Sequence, residues 1–311
     1  MMIRSTTGWL LAGIGALVVG TALAARPLVD EPRAGFQQRG ERMEWRERGL
    51  GRYASARVSG TVVYGSHPRQ QVDLYMPDNP MGEATLVFYI HGGGWSRGNH
   101  RMVDAKPAHF TAQGHVFASA GYRVLPDAPV EQQAADLGAA LRAVRAQAED
   151  YGFDPARIVL MGHSAGAHLA ALVATDPQYA GDAFGTIRGV VLIDGGGYDI
   201  ALALTMPEME APLIYRDVFG TDPARHKALS PLTHVGGRDA PQWLMLHVAE
   251  RAATTRQAGT FAAALTKAGR SATIVPLPGT NHMRINREIG TDAGSAQTQA
   301  IDAFLARAVR P

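Results

Sequence analysis

The sequence contains no cysteine. Disulfides are therefore excluded, and so is attachment of a lipid to a cysteine after processing. Neither sign of charge dominates: 30 lysines and arginines face 28 aspartates and glutamates, a formal net charge of +2. No long basic run is present, so the chain carries no signature of a nucleic-acid partner. It has no internal repeat and no low-complexity segment. The N-terminal apolar stretch, Trp9 to Leu23, is 15 residues long, short of the roughly 20 that a membrane-spanning helix requires. With 46% hydrophobic residues in 311, the chain can bury a sizeable core, and a core of that size needs no disulfide to stabilise it.

What is present begins with a leader-like pattern. Arg4 precedes the apolar stretch, and Ala22-Leu23-Ala24 forms a small-x-small cleavage site, the layout of a secretory signal. The expectation is export, periplasmic or secreted, with no stable membrane insertion after cleavage; an uncleaved N-terminal anchor is the alternative. Residues 25–55 read as a linker or a small lid segment, and residues 56–311 as one domain.

Within that domain, Arg57 to Tyr64 and Gln71 to Met76 alternate apolar and polar residues, as half-buried strands do. The pattern then changes to short continuous apolar runs: Leu86–Ile90, Val116–Ala120, Ile158–Met161, Val190–Ile193, Trp243–Leu246 and Ala272–Val275. Strands without alternation are buried on both faces, which predicts a parallel sheet flanked by helices. The alanine-rich stretches 129–150, 165–175, 253–269 and 293–309 have helical spacing and lie between the runs. The expected class is a single α/β domain. Residues 199–231, with four prolines, exceed an ordinary connection and are expected to form a lid-like insertion at the carboxyl edge of the sheet.

Two motifs carry chemistry. Gly162-His163-Ser164-Ala165-Gly166 follows an apolar strand and opens a small-residue helix, the strand-turn-helix context in which a G-x-S-x-G serine is a nucleophile. Such a turn exposes the Ser164 hydroxyl and offers the Ala165 N–H to a developing oxyanion. His91-Gly92-Gly93-Gly94-Trp95 follows the strand Leu86–Ile90; consecutive glycines let the backbone come close to a substrate and turn successive N–H groups the same way. Gly93 and Gly94 are the expected oxyanion donors beside Ala165, and His91 reads as an anchor for the loop.

With these residues the chain resembles the α/β-hydrolase fold, in the hormone-sensitive-lipase-type and bifunctional feruloyl/acetyl esterase branch, a group also similar to kynurenine formamidase. Gly121 to Pro126, Tyr151 to Arg157 and Leu229 to Thr233 add to the resemblance, which covers roughly residues 58–309. It implies a mostly parallel eight-stranded sheet flanked by helices, no metal and no cofactor. Its triad runs in the order serine, acid, histidine. His282 follows the last apolar run and is the expected base. The acid is expected after the run ending at His247, and between residues 248 and 281 the one carboxylate is Glu250. Family members usually carry H-G-x-x-D there. This chain reads Leu246-His-Val-Ala-Glu250-Arg251, so the pattern is altered, and the competing reading pairs Glu250 with Arg251 or Arg256 at the surface. Asp239 and Asp222 precede the strand and are poorer candidates.

The expectation is a serine ester hydrolase working by a Ser164–His282–Glu250 triad through an acyl-enzyme on small-molecule, short-acyl esters. Three alternatives stay open: an arylformamidase-type amide hydrolase on the same residues, a serine peptidase, which would be expected to carry an added peptide-binding domain, and a catalytically inactive hydrolase fold used for binding. The oligomeric state is not legible.

Overall fold

The computed structural model describes residues 57–78, 83–206 and 212–309. The leader read over residues 1–24 and the linker over 25–55 lie outside the described residues. Among the described residues, no helix is long and apolar enough to cross a membrane.

All eight apolar or alternating runs are strands: β1 (Gly60–Val63), β2 (Gln71–Tyr75), β3 (Ala84–Ile90), β4 (Val116–Ala120), β5 (Phe153–His163), β6 (Ile187–Ile193), β7 (Gln242–Val248) and β8 (Ser271–Leu277). They form one eight-stranded sheet in the order β1-β2-β4-β3-β5-β6-β7-β8. β1 and β2 pair antiparallel, and β2 pairs antiparallel with β4. From β4 onward every pairing is parallel. The change from alternating to continuous apolar runs in the sequence coincides with this change of direction.

The continuous runs exist because the sheet is covered on both faces. Side chains point alternately to opposite sides of a strand. Leu86, Phe88 and Ile90 of β3 meet Leu137 and Leu141 of helix α2 (Val130–Arg145) and Leu169 of helix α3 (Ala165–Thr175) in one core. Their neighbours Val87 and Tyr89 meet Phe110, Ile301 and Phe304 in the other. Phe110 belongs to α1 (Lys106–Ala112) and Phe304 to the C-terminal helix (Ser295–Ala308). The helix Ala252–Lys267 joins the first core through Phe261 and Leu265, with the Phe261 ring set edge-on to Trp243, centroids 5.4 Å apart.

Residues 199–231 contain three short helices: Ile200–Thr205, Pro212–Phe219 and Pro223–Leu229. Asp199 and Asp222 accept the Leu202 and Ala224 N–H groups and so start the first and third. This segment follows β6, and six parallel strands have their carboxyl ends on the same side of the sheet, so the loops that follow them converge there.

The docking of the C-terminal helix yields a stability prediction. Phe304 is buried against Gly189 of β6, and Phe304→Ala should cost about 3–5 kcal/mol in urea unfolding. A cost below about 1 kcal/mol would mean that this helix does not hold the second core.

Candidate active site

Ser164 sits between β5 and α3 at φ 55°, ψ −121°, a backbone conformation rarely tolerated outside functional turns. The turn is tight because strand and helix cross closely. A Cβ on Gly162 would run into the Gly166 carbonyl, and one on Gly166 into the carbonyls of Ile90 and His91. The Ser164 N–H donates to the Ile193 carbonyl at 3.0 Å, tying the elbow to the neighbouring strand.

The loop after β8 brings His282 to the serine. His282 Nε2 lies 3.0 Å from Ser164 Oγ. Asn281 shapes this loop by accepting the N–H groups of Met283 and Arg284 on its side-chain oxygen. A second histidine fixes it from below: His163 Nε2 donates to the His282 carbonyl at 2.8 Å, with the two rings 4.7 Å apart. Burial pushes His163 down to about 3, so it is a neutral donor.

The expected acid, Glu250, does not meet His282. Its carboxylate turns away to accept the Gly279 N–H at 3.1 Å, and the side chain is exposed. The carboxylate that meets His282 is Asp194, whose Oδ2 lies 2.6 Å from His282 Nδ1. Asp194 directly follows β6, at φ 45°. Its N–H donates to the Leu246 carbonyl of β7 at 2.7 Å, and its Oδ1 accepts the Val248 N–H at 3.1 Å. The residue is thus pinned between the ends of two adjacent strands. Glu250 stands two residues beyond β7, where the turn has already carried the chain towards the β8 loop. Burial pushes the Asp194 carboxyl up, but the His282 hydrogen bond, Arg251 and the Val248 N–H outweigh it and hold the carboxyl at about 2.

Arg251 closes the cluster. Its Nη1 donates to Asp194 Oδ2 and lies 2.7 Å from His282 Nδ1. Counted from His247 in the H-G-x-x-D spacing, the aspartate's position falls on Arg251 rather than Glu250. The sequence held a sign of Asp194 too. It is a carboxylate immediately after a buried apolar strand, followed by Gly195-Gly196-Gly197. A search confined to residues after the next strand passes over it.

The glycine loop lies beside the serine: a Cβ on Gly92 would sit 3.1 Å from Ser164 Cβ. Gly93 and Gly94 have φ of 135° and 59°, values at which a side chain is strained. His91 anchors this loop, as its sequence context predicts. Its ring stacks on Tyr122 with centroids 4.4 Å apart, Nδ1 lies 2.8 Å from the Gly92 carbonyl, and Tyr122 donates to the His91 carbonyl. Burial pushes His91 down to about 4, which keeps it neutral. Ala165 is the first residue of α3, where a backbone N–H has no partner within the helix. Trp95, at the end of the loop, donates to His168 Nδ1 at 3.2 Å and packs edge-on against Tyr215 and Phe219 of the inserted helix Pro212–Phe219. Among the described residues, no group of three histidine or carboxylate side chains is placed to hold a metal ion.

This geometry has counterparts. Residues 72–199 fit the BD-FAE family model. Est2, a thermophilic esterase of Thermogutta terrifontis, superposes with a TM-score of 0.66 at 26% identity, covering 83% of this chain and 96% of its own. The chain has the α/β-hydrolase fold. It is 31% identical to the esterase LipC of Mycobacterium tuberculosis over 71% of its own length and 58% of LipC. A probable isoprenylcysteine alpha-carbonyl methylesterase of Arabidopsis thaliana is 34% identical over 119 residues, 38% of this chain and 25% of the plant protein. The chain thus spans only part of the length of these two relatives. Est2 has also been solved with propionate bound.

The depressed Asp194 carboxyl has a consequence for acid stability. A carboxyl held at about 2 when folded and near 3.8 when free contributes stability that is present above pH 4 and lost as the pH falls through 2. The stability difference between wild type and Asp194→Asn should therefore shrink by about 2 kcal/mol between pH 5 and pH 2, read from urea unfolding at each pH. A difference independent of pH would show that Asp194 is not held ionised.

Proposed function

We propose that this hydrolase cleaves carboxylic esters by acyl transfer to Ser164. The observation that carries the reading is the unbroken chain of contacts from Ser164 Oγ to His282 Nε2 at 3.0 Å and from His282 Nδ1 to Asp194 Oδ2 at 2.6 Å, starting at a strained elbow. An ionised carboxylate can only accept, so the proton on that side of the ring belongs to Nδ1. Nε2 is then bare and takes the Ser164 proton as Oγ attacks the ester carbonyl. The imidazolium that forms is stabilised by Asp194 and returns the proton to the leaving alcohol. Water, deprotonated by the same nitrogen, releases the acid and restores Ser164.

The tetrahedral oxyanion is received by the N–H groups of Ala165, Gly93 and Gly94. Ala165 contributes from a helix N-terminus, where the peptide dipoles favour negative charge. The glycines contribute because the backbone beside Ser164 is bare. Trp95, Tyr215 and Phe219 pack closely around the end of this loop, which supports short acyl groups over long chains. The propionate-bound state of Est2 fits the same preference. Export belongs to the proposal on the strength of the leader pattern alone.

Two experiments test it. A fluorophosphonate probe should label the wild type and leave Ser164→Ala unlabelled; an unlabelled wild type would remove the serine-hydrolase reading. With p-nitrophenyl butyrate, Asp194→Asn should lower kcat by about 10⁴-fold, while Glu250→Gln stays near the wild-type rate. The reverse order would return the acid role to Glu250.

A further inference from the structure

We propose that Arg251 recognises an anionic group on the substrate, so that the ester cleaved by Ser164 carries a carboxylate a few bonds from its scissile carbonyl; this rests on the esterase reading above. Among the described residues the guanidinium is engaged through Nη1. Among the described residues its Nη2 and Nε have no partner, and the side chain is 30% exposed beside a His282 side chain that is 34% exposed. Asp194 does not require it, since Val248 N–H serves Oδ1 and His282 Nδ1–H serves Oδ2. Arg251 is thus a surplus donor at the edge of the catalytic histidine.

The charges around it are unbalanced once the reaction starts. When His282 takes the serine proton, an imidazolium stands 2.7 Å from the guanidinium, with one carboxylate between two cations. Among the described residues, no second carboxylate faces them. Glu250 turns to Gly279, and Asp104, the carboxylate nearest the buried Lys106, is paired with that lysine and with Arg287. His163 is neutral, and burial holds the Tyr198 and Tyr215 phenols protonated. A carboxylate on the substrate, bound in bidentate fashion by the free edge of Arg251, restores the balance. Because the second cation appears only as the transition state forms, this interaction strengthens there and appears in kcat as well as KM.

Arg251 meets the Nδ1 side of the imidazole and Ser164 the Nε2 side, so the anion lies about one ring and two hydrogen bonds from the nucleophile. A succinyl or glutaryl chain spans that gap on the acyl side; a carboxylated aromatic alcohol spans it on the leaving-group side. The test has an arm for each source. One compares p-nitrophenyl hemiglutarate with p-nitrophenyl pentanoate, and the other 4-carboxyphenyl butanoate with its methyl ester. In the wild type, one anionic ester should exceed its neutral partner in kcat/KM by about tenfold or more, and added sodium chloride should reduce that ratio. The ratio should fall to one or below in Arg251→Met and recover in part in Arg251→Lys, whatever the absolute rates. Ratios of one or less in both arms of the wild type, or a ratio unchanged in Arg251→Met, would overturn the proposal. Should Arg251→Met not fold, the wild-type ratios and their salt dependence decide. Failure of this inference leaves neutral esters hydrolysed and Ser164 labelled by fluorophosphonate, whereas failure of the esterase reading removes both.

Discussion

Ser164 can hold its left-handed backbone only while β5 and α3 cross without intervening side chains, and the rest of the site is arranged around that crossing. The glycines on either side remove the clash, but they do not by themselves hold the strained residue in place. That is done from outside the turn. The Ile193 carbonyl accepts the Ser164 N–H, so the last residue of β6 supports the nucleophile, and the residue after it supplies the carboxylate. Nucleophile and acid are therefore positioned by one strand end, and displacement of β6 would move both together. The third member reaches them from the loop after β8, and His163, the residue before the serine, grips that loop by its backbone. The grip on the His282 backbone thus comes from the residue directly before the elbow.

Neutral histidines do much of this alignment. His91, His163 and His168 are buried around the serine, and burial pushes all three well below the usual imidazole range. A lysine in their place would have to be desolvated as a cation, and an amide could not present one donor and one acceptor at the ends of a flat ring. His168 shows the use of both ends: Nδ1 accepts from Trp95 while Nε2 donates to the Leu229 carbonyl. The glycine loop is thereby tied to the end of the last inserted helix. Because these rings stay neutral, Lys106, paired with Asp104, is the cation acting on His163 beside His282 among the described residues.

The fold and the meeting of Ser164 with His282 were legible because both are written locally. A strand buried on two faces must be a continuous apolar run, and each of the six such runs is a parallel strand. A nucleophile elbow must have small neighbours, and Gly162 and Gly166 surround Ser164. His282 could be placed by its position after the last strand. The acid could not, because its identity is settled by contact between strand ends rather than by order along the chain. Neighbouring parallel strands run about 4.8 Å apart, so a side chain at the end of β6 reaches the same histidine nitrogen as one after β7. Along the chain the two ends are more than 50 residues apart, and only the sheet makes them one place. The aromatic wall was only half legible for a related reason. Trp95 follows a visible motif, but Tyr215 and Phe219 meet it only through the fold of the insertion.

The departure from H-G-x-x-D becomes intelligible once the carboxylate stands at 194. An aspartate at 251 would bring a second carboxylate to the same imidazole nitrogen. Two carboxylates sharing one site cannot both stay ionised, and one would be driven to protonate, leaving the histidine facing a hydroxyl that competes for its orientation. A neutral side chain at 251 would avoid this without adding anything. A guanidinium does more: after the His282 hydrogen bond, its charge helps to hold the Asp194 carboxyl down at about 2 against the upward push of burial. That gain has a cost, since the same positive charge opposes the imidazolium on which catalysis depends. In the proposed reaction, another negative charge near Arg251 would offset this opposition when His282 is protonated, and among the described residues none faces the outer edge of its guanidinium.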